Sequence, residues 1–89
     1  MIVHVLFFAS LRDAVGLDEL EVELAEPATV DGLLSLLQDQ LSDTAHAALT
    51  AERVRIALNQ ELVPEQRRAA SVSVRPGDEV AFLPPVTGG

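Results

Sequence analysis

Only one stretch of this sequence carries a long helical stripe. Val30, Leu33, Leu34, Leu37 and Leu41 recur at i, i+3, i+4, i+7 and i+11, so they line a single face of a helix. Thr29 stands where an N-cap belongs, and Asp31 in the first turn suits the positive end of the helix dipole. Leu36 falls off the stripe, and Gly32 weakens the first turn slightly. A lone apolar stripe must be buried against something, and the flanking segments on both sides read as strands. The chain has 89 residues and no cysteine, which makes one domain held by packing without disulfides. These facts together call for one helix laid across one sheet.

The strands can be placed by alternation. Ile2 to Phe8 is short, β-branched and aromatic, and apolar on both faces, as a central strand would be. Val3, Val5 and Phe7 point one way; Ile2, His4, Leu6 and Phe8 point the other, and His4 marks that second side as the wetter. SLRDAVG then reads as a polar turn or one short helix closed by Gly16. Glu19 to Leu24, ELEVEL, alternates acid with apolar and has the pattern of a half-buried edge strand. After the helix, residues 42–52 read as a loop with room for one more helical turn. Val54 to Leu58 is a strand that turns at Asn59-Gln60 into a short strand at Leu62-Val63, ended by Pro64. Residues 65–70 read as a solvated loop, and Val72 with Val74 as a weak pairing. Pro76-Gly77 predicts a type II turn, because glycine takes the positive φ at little cost. The last strand runs from Glu79 to Leu83, with Val80 and Phe82 on one face. A ββαβ(β)β order, with first and last strands adjacent and parallel, is an α+β roll of the β-grasp type.

Few chemistries survive a census of the side chains. His4 and His46 lie far apart with no HxxxH or HExxH spacing, so no metal site is expected; His4 reads as a surface-facing strand residue and His46 as a loop residue. The serines lack any nucleophile-elbow context, and the acids mostly occupy exposed positions. Lysine is absent, which excludes a Schiff base and a GxxxxGK[ST] phosphate loop. A net charge of −8 opposes nucleic acid and would suit a basic partner, although plain solubility is the simpler reading of charge alone. MIVHVLFFASL has no basic region before its apolar run and is too short to span a bilayer, so no membrane association and a cytoplasmic location are expected.

What remains is the tail, PPVTGG, Pro84 to Gly89. At ordinary usage a terminal Gly-Gly arises by chance in roughly 0.5% of chains. Read as a reagent, every part has a task. The Gly89 carboxylate becomes reactive once adenylated, and Gly88 and Gly89 let protein walls approach the backbone closely. Pro84 and Pro85 fix φ and lower the entropy lost on threading. Six residues can reach about 20 Å, enough to enter a partner's active site. We therefore expect a β-grasp domain over 1–83 and an extended tail over 84–89.

VLFFASLRDAVG, ALNQELV and above all GDEVAFLPPVTGG resemble the ubiquitin-like sulfur carriers, in particular the small subunits of molybdopterin synthase. The resemblance covers most of the chain. It implies that an ATP-dependent, ubiquitin-activating-like enzyme adenylates Gly89 and that a sulfur-donor enzyme helps convert the adenylate to a thiocarboxylate. The tail then enters the large synthase subunit and gives its sulfur to cyclic pyranopterin monophosphate, two carriers being used per dithiolene. It implies further that this chain binds no cofactor alone, that the catalytic side chains belong to the large subunit, and that the assembly is a heterotetramer.

Family likeness and alternation agree on a docking face built from Phe8, Leu62 and Leu83, with Pro84, Pro85, Val86 and Thr87 as the threading segment. Leu83 stands where relatives often carry an aromatic residue, and Arg12 reads as a surface arginine or a partner salt bridge. Rival readings are a carrier for thiazole or cysteine synthesis, a ubiquitin-like modifier, and a plain β-grasp binding module. PPVT points to the molybdopterin branch, and a lysine-free chain cannot build lysine-linked polymers of itself.

Overall fold

The computed structural model describes residues 1–64 and 72–85. The expected loop at 65–70 and the tail residues Val86, Thr87, Gly88 and Gly89 lie outside the described residues. The chain runs β1 (Ile2–Phe7), α1 (Ala9–Val15), β2 (Glu19–Glu23), β3 (Ala28–Thr29), α2 (Val30–Gln40), α3 (Asp43–Leu49), β4 (Arg55–Leu58), β5 (Glu61–Leu62), β6 (Ser73–Val74) and β7 (Glu79–Leu83). Five strands form one mixed sheet in the order β2-β1-β7-β4-β5, while β3 and β6 pair separately. β1 lies parallel to β7, with Phe7 opposite Phe82, and antiparallel to β2. This is the expected β-grasp arrangement, with the first and last strands side by side.

The core sits between the sheet and α2. Val3, Val5, Val80 and Phe82 are fully buried on the inner face, and Val30, Leu33 and Leu37 of the helical stripe are fully buried against it. Phe7 stacks on Phe82, with ring centroids 6.0 Å apart and 14° between planes. The Thr29 hydroxyl accepts from the Gly32 N–H at 3.1 Å, so the cap predicted from sequence fixes the start of α2. Leu36, off the stripe, is half-buried and packs against the rim of the core.

Turn chemistry sets the register. Gly77 has φ 84, and the Asp78 N–H donates to the Arg75 carbonyl at 3.0 Å, closing the turn ahead of β7. Asn59 and Gln60 both take positive φ, the conformation a two-residue hairpin requires, and asparagine tolerates it well. Asn59 also ties the two turns together: its Nδ2 donates to Asp78 Oδ1 at 3.0 Å and its Oδ1 accepts from the Glu79 N–H at 2.9 Å.

One local alternative is decided and two expectations need correction. SLRDAVG resolves to the helix alternative, α1, closed by Gly16 at φ 88. Residues 43–49 form α3, a two-turn helix capped by Ser42, whose hydroxyl accepts from the Ala45 N–H at 3.1 Å. His46 is therefore a half-buried helix residue; its Nε2–H donates to the Leu34 carbonyl at 3.1 Å and fastens α3 to α2. No helix among the described residues is long and apolar enough to cross a membrane.

Candidate functional site

The sheet has a second face, opposite the one that packs in the core, that none of the described helices covers. Strand alternation sends Leu6, Ala81, Ala57 and Leu62 to this side, and pairing sets them in one row: Leu6 opposite Ala81, Ala81 opposite Ala57, Ala57 opposite Leu62. The two alanines are nearly closed off, at 4% and 8% exposure, because small side chains sink between larger neighbours. Leu62, at the far edge, is 56% exposed. The result is a flat apolar strip crossing four strands.

A second row lies nearer the tail. Leu83 pairs with Arg55, and Phe8 follows Phe7 in extended conformation, one residue past the Phe7–Phe82 pair. The Phe8 N–H donates to the Phe82 carbonyl at 3.2 Å, so the parallel ladder continues to the point where the tail leaves. Phe8 is 44% exposed, an unusual setting for a ring that could have been buried. Leu83, Pro84 and Pro85 are half-buried and continue from this row. The pairing thus sets Phe8, Leu62 and Leu83 on one side of the sheet, and Pro84 and Pro85 follow directly from β7. Val86, Thr87, Gly88 and Gly89 lie outside the described residues.

Charge frames the strip unevenly. On β2, Glu19, Glu21 and Glu23 are exposed opposite Leu6, His4 and Ile2. His4 Nδ1 lies 3.6 Å from Glu21 Oε1, with both side chains largely in solvent. Arg12 meets Asp18 at 3.7 Å, Nε to Oδ1, also at the surface, which favours the surface-arginine reading within this chain. Beside β4 and β5, level with the Leu83–Arg55 pair where the tail leaves, an open cleft of about 680 Å³ is lined by Glu52, Arg53, Val54, Arg55, Ile56 and Val63 among others; its described lining holds no nucleophile or imidazole. Among the described residues no cluster of histidines and acids is arranged to hold a metal ion. Every buried side-chain polar atom described here has a partner. Among the described residues the exposed apolar strip is the candidate interface.

Ala57 is the part of the strip that sequence reasoning passed over. Its only signal was its alternation with Ile56 and Leu58, and a small side chain gives no hint of a contact surface.

Comparison with known proteins adds the following. The ThiS family pattern matches residues 5–89. The molybdopterin synthase sulfur carrier subunit of Escherichia coli (strain K12) is 42% identical over 87 residues, covering 98% of this chain and 99% of that protein. The crystal structure of SAMP1 from Haloferax volcanii shares the fold with a TM-score of 0.76 at 22% identity, covering all of both chains. A protein–protein complex of subunits 1 and 2 of molybdopterin-converting factor from Helicobacter pylori 26695 contains a chain with a TM-score of 0.66 at 24% identity, again covering all of both.

Proposed function

The chain belongs to the ThiS family, and from that premise we propose that it is the sulfur carrier of a molybdopterin synthase, its small subunit in molybdenum cofactor biosynthesis. The observation that carries this reading is a likeness to sulfur carrier subunits that runs through nearly the whole chain. The chemistry belongs to the Gly89 carboxylate. Its oxygen attacks the α-phosphorus of ATP on an activating enzyme, pyrophosphate leaves, and the acyl adenylate forms. A sulfur nucleophile then takes the acyl carbon, AMP departs, and a thiocarboxylate remains. Delivered to the large subunit, that sulfur attacks the pyranopterin precursor; water then adds to the acyl carbon, the bond from that carbon to sulfur breaks, the sulfur stays on the pterin, and the carrier returns as a carboxylate for another round in the cytoplasm.

The domain's own contribution is presentation. The open strip of Leu6, Ala81, Ala57 and Leu62, with Phe8 and Leu83 beside the tail, supplies an apolar surface for the large subunit, and burying it orients the tail toward that subunit's active site. The catalytic side chains are the large subunit's. The complex formed by a structural relative of this chain supports that choice of partner.

The test is intact mass spectrometry after incubation with ATP, the host's activating enzyme and a sulfur source. A gain equal to replacing one oxygen by sulfur, mapped to Gly89, is expected. An unchanged terminus, while the same enzyme modifies a control carrier, would overturn the reading. The docking face is tested separately by Leu62→Asp. That position is exposed, so the domain stays folded, while a charge buried in an apolar contact weakens large-subunit binding by about tenfold or more in calorimetry. Unchanged affinity would move the interface off this strip.

A further inference from the structure

An acyl adenylate is an electrophile that any nearby amine can consume. The amine nitrogen attacks the acyl carbon, the bond from that carbon to the phosphate oxygen breaks, AMP leaves with the electron pair, and the amine's proton passes to solvent. The product is an amide, which ends the carrier's usefulness. The commonest protein amine is the lysine side chain, and lysine is among the most frequent residues of soluble domains. This chain has none: beside two histidines, its six remaining basic residues are all arginines. Arginine stays protonated and is no acceptor, yet it does here the surface work lysine could do, as in the Arg12–Asp18 contact.

The topology keeps the Met1 amine away as well. The Met1 ammonium donates to the Leu24 carbonyl at 2.8 Å, which pins it at the start of β1. β1 and β7 are parallel, so that point lies at the opposite end of the sheet from where the tail leaves, level with Phe8. Seven residues of strand at about 3.3 Å each separate them by roughly 23 Å. Pro84 to Gly89 can reach at most about 20 Å, and two prolines at the base resist the reversal needed to point back along the sheet. Cysteine, the other strong acyl acceptor, is absent too. Serine and threonine hydroxyls are weak nucleophiles without an adjacent base.

We infer that the chain is built to be inert toward its own activated terminus, through the exclusion of lysine and the placement of the Met1 amine beyond the tail's reach. The inference rests on the reading of Gly89 as the activated carboxylate. It adds a selectivity that the carrier carries within itself: an adenylated chain cannot close on its own amine and offers no lysine to another while it waits for sulfur.

The test restores an amine. Arg12→Lys keeps the charge facing Asp18 and sits at the tail's exit, since the Arg12 N–H approaches the Phe8 carbonyl at 3.4 Å. Gln38→Lys puts an amine on an exposed position of α2, away from the strip. Native and variant chains are incubated with ATP and the activating enzyme, without a sulfur source, and followed by intact mass. The native chain is expected to show adenylate and unmodified chain only. Arg12→Lys is expected to give a species lighter by one water, the cyclic amide, together with dimers, at about tenfold or more over native, because a new amine within the roughly 20 Å span of a six-residue tail meets the terminus at high effective concentration. Gln38→Lys is expected to give dimers. Self-adducts of the native chain comparable to those of the variants, or no amide from either variant, would overturn the inference while adenylation still stands. Absence of adenylate on every chain would overturn both this inference and the functional reading beneath it.

Discussion

Deleting Gly89 leaves a folded domain that no longer carries sulfur. The deletion moves the terminal carboxylate back along the tail by about 3.5 Å. Reacting atoms must meet within about 3–3.5 Å in aligned geometry, and a misplacement of only 1 Å can cost about 100-fold. Thiocarboxylate formation is therefore expected to fall by at least about 100-fold, and cofactor synthesis in cells depending on this carrier to stop. Thermal stability is expected to match the native chain, because the buried core ends at Phe82, well before the deleted residue. The measurement pairs intact mass spectrometry with a melting curve on the same sample. Sustained cofactor synthesis with the shortened tail would show that the terminus is not the reagent.

Phe82→Ala is expected to bring the domain close to unfolding. Phe82 is fully buried on the middle strand of the sheet and stacks on Phe7, so truncation loses both burial and ring contact and leaves a cavity that flanking strands cannot close. Such substitutions cost about 3–5 kcal/mol. At roughly 4–8 °C per kcal/mol for a domain of this size, Tm falls by about 12 °C or more. Phe8→Ala is the matched control. Phe8 is a sequence neighbour of Phe7, yet it lies on the open side, so its loss is expected to stay within about 0.5 kcal/mol. Denaturant titration of both variants decides the matter, and similar losses would mean that the two faces are wrongly assigned.

How far the fold could be read from the sequence depended on whether each segment carried its own signal. β1 and β7 are short β-branched and aromatic runs, and in β1 His4 marks the wetter side, so period two assigned their faces and the burial of Val3, Val5, Val80 and Phe82 could be predicted. Thr29 and Pro76-Gly77 mark their boundaries by local backbone chemistry alone. α3 was hidden because DTAHAAL is short and alanine-rich, with Ala45 and Leu49 as its whole buried face, too little for a stripe. Its readable mark was the Ser42 cap. Of the β3–β6 pair, Val72 and Val74 announced a weak pairing, but their partner, Ala28–Thr29 at the start of α2, is a tertiary fact with no local trace. On the candidate site, Phe8 and Leu62 could be picked out as large apolar residues on the wetter face. Ala57 and the flatness of the strip required the register between strands.

The tail leaves from β7, the middle strand of the five, gripped by β1 on one side and β4 on the other. A force applied to the tail acts along that strand, while its hydrogen bonds run across it. Both ladders are loaded in shear and must fail together, whereas an edge strand could be peeled away one bond at a time. The domain is thus a stiff handle: a partner that grips the tail and pulls meets the resistance of the whole sheet, and the grip gives way before the strand is drawn out.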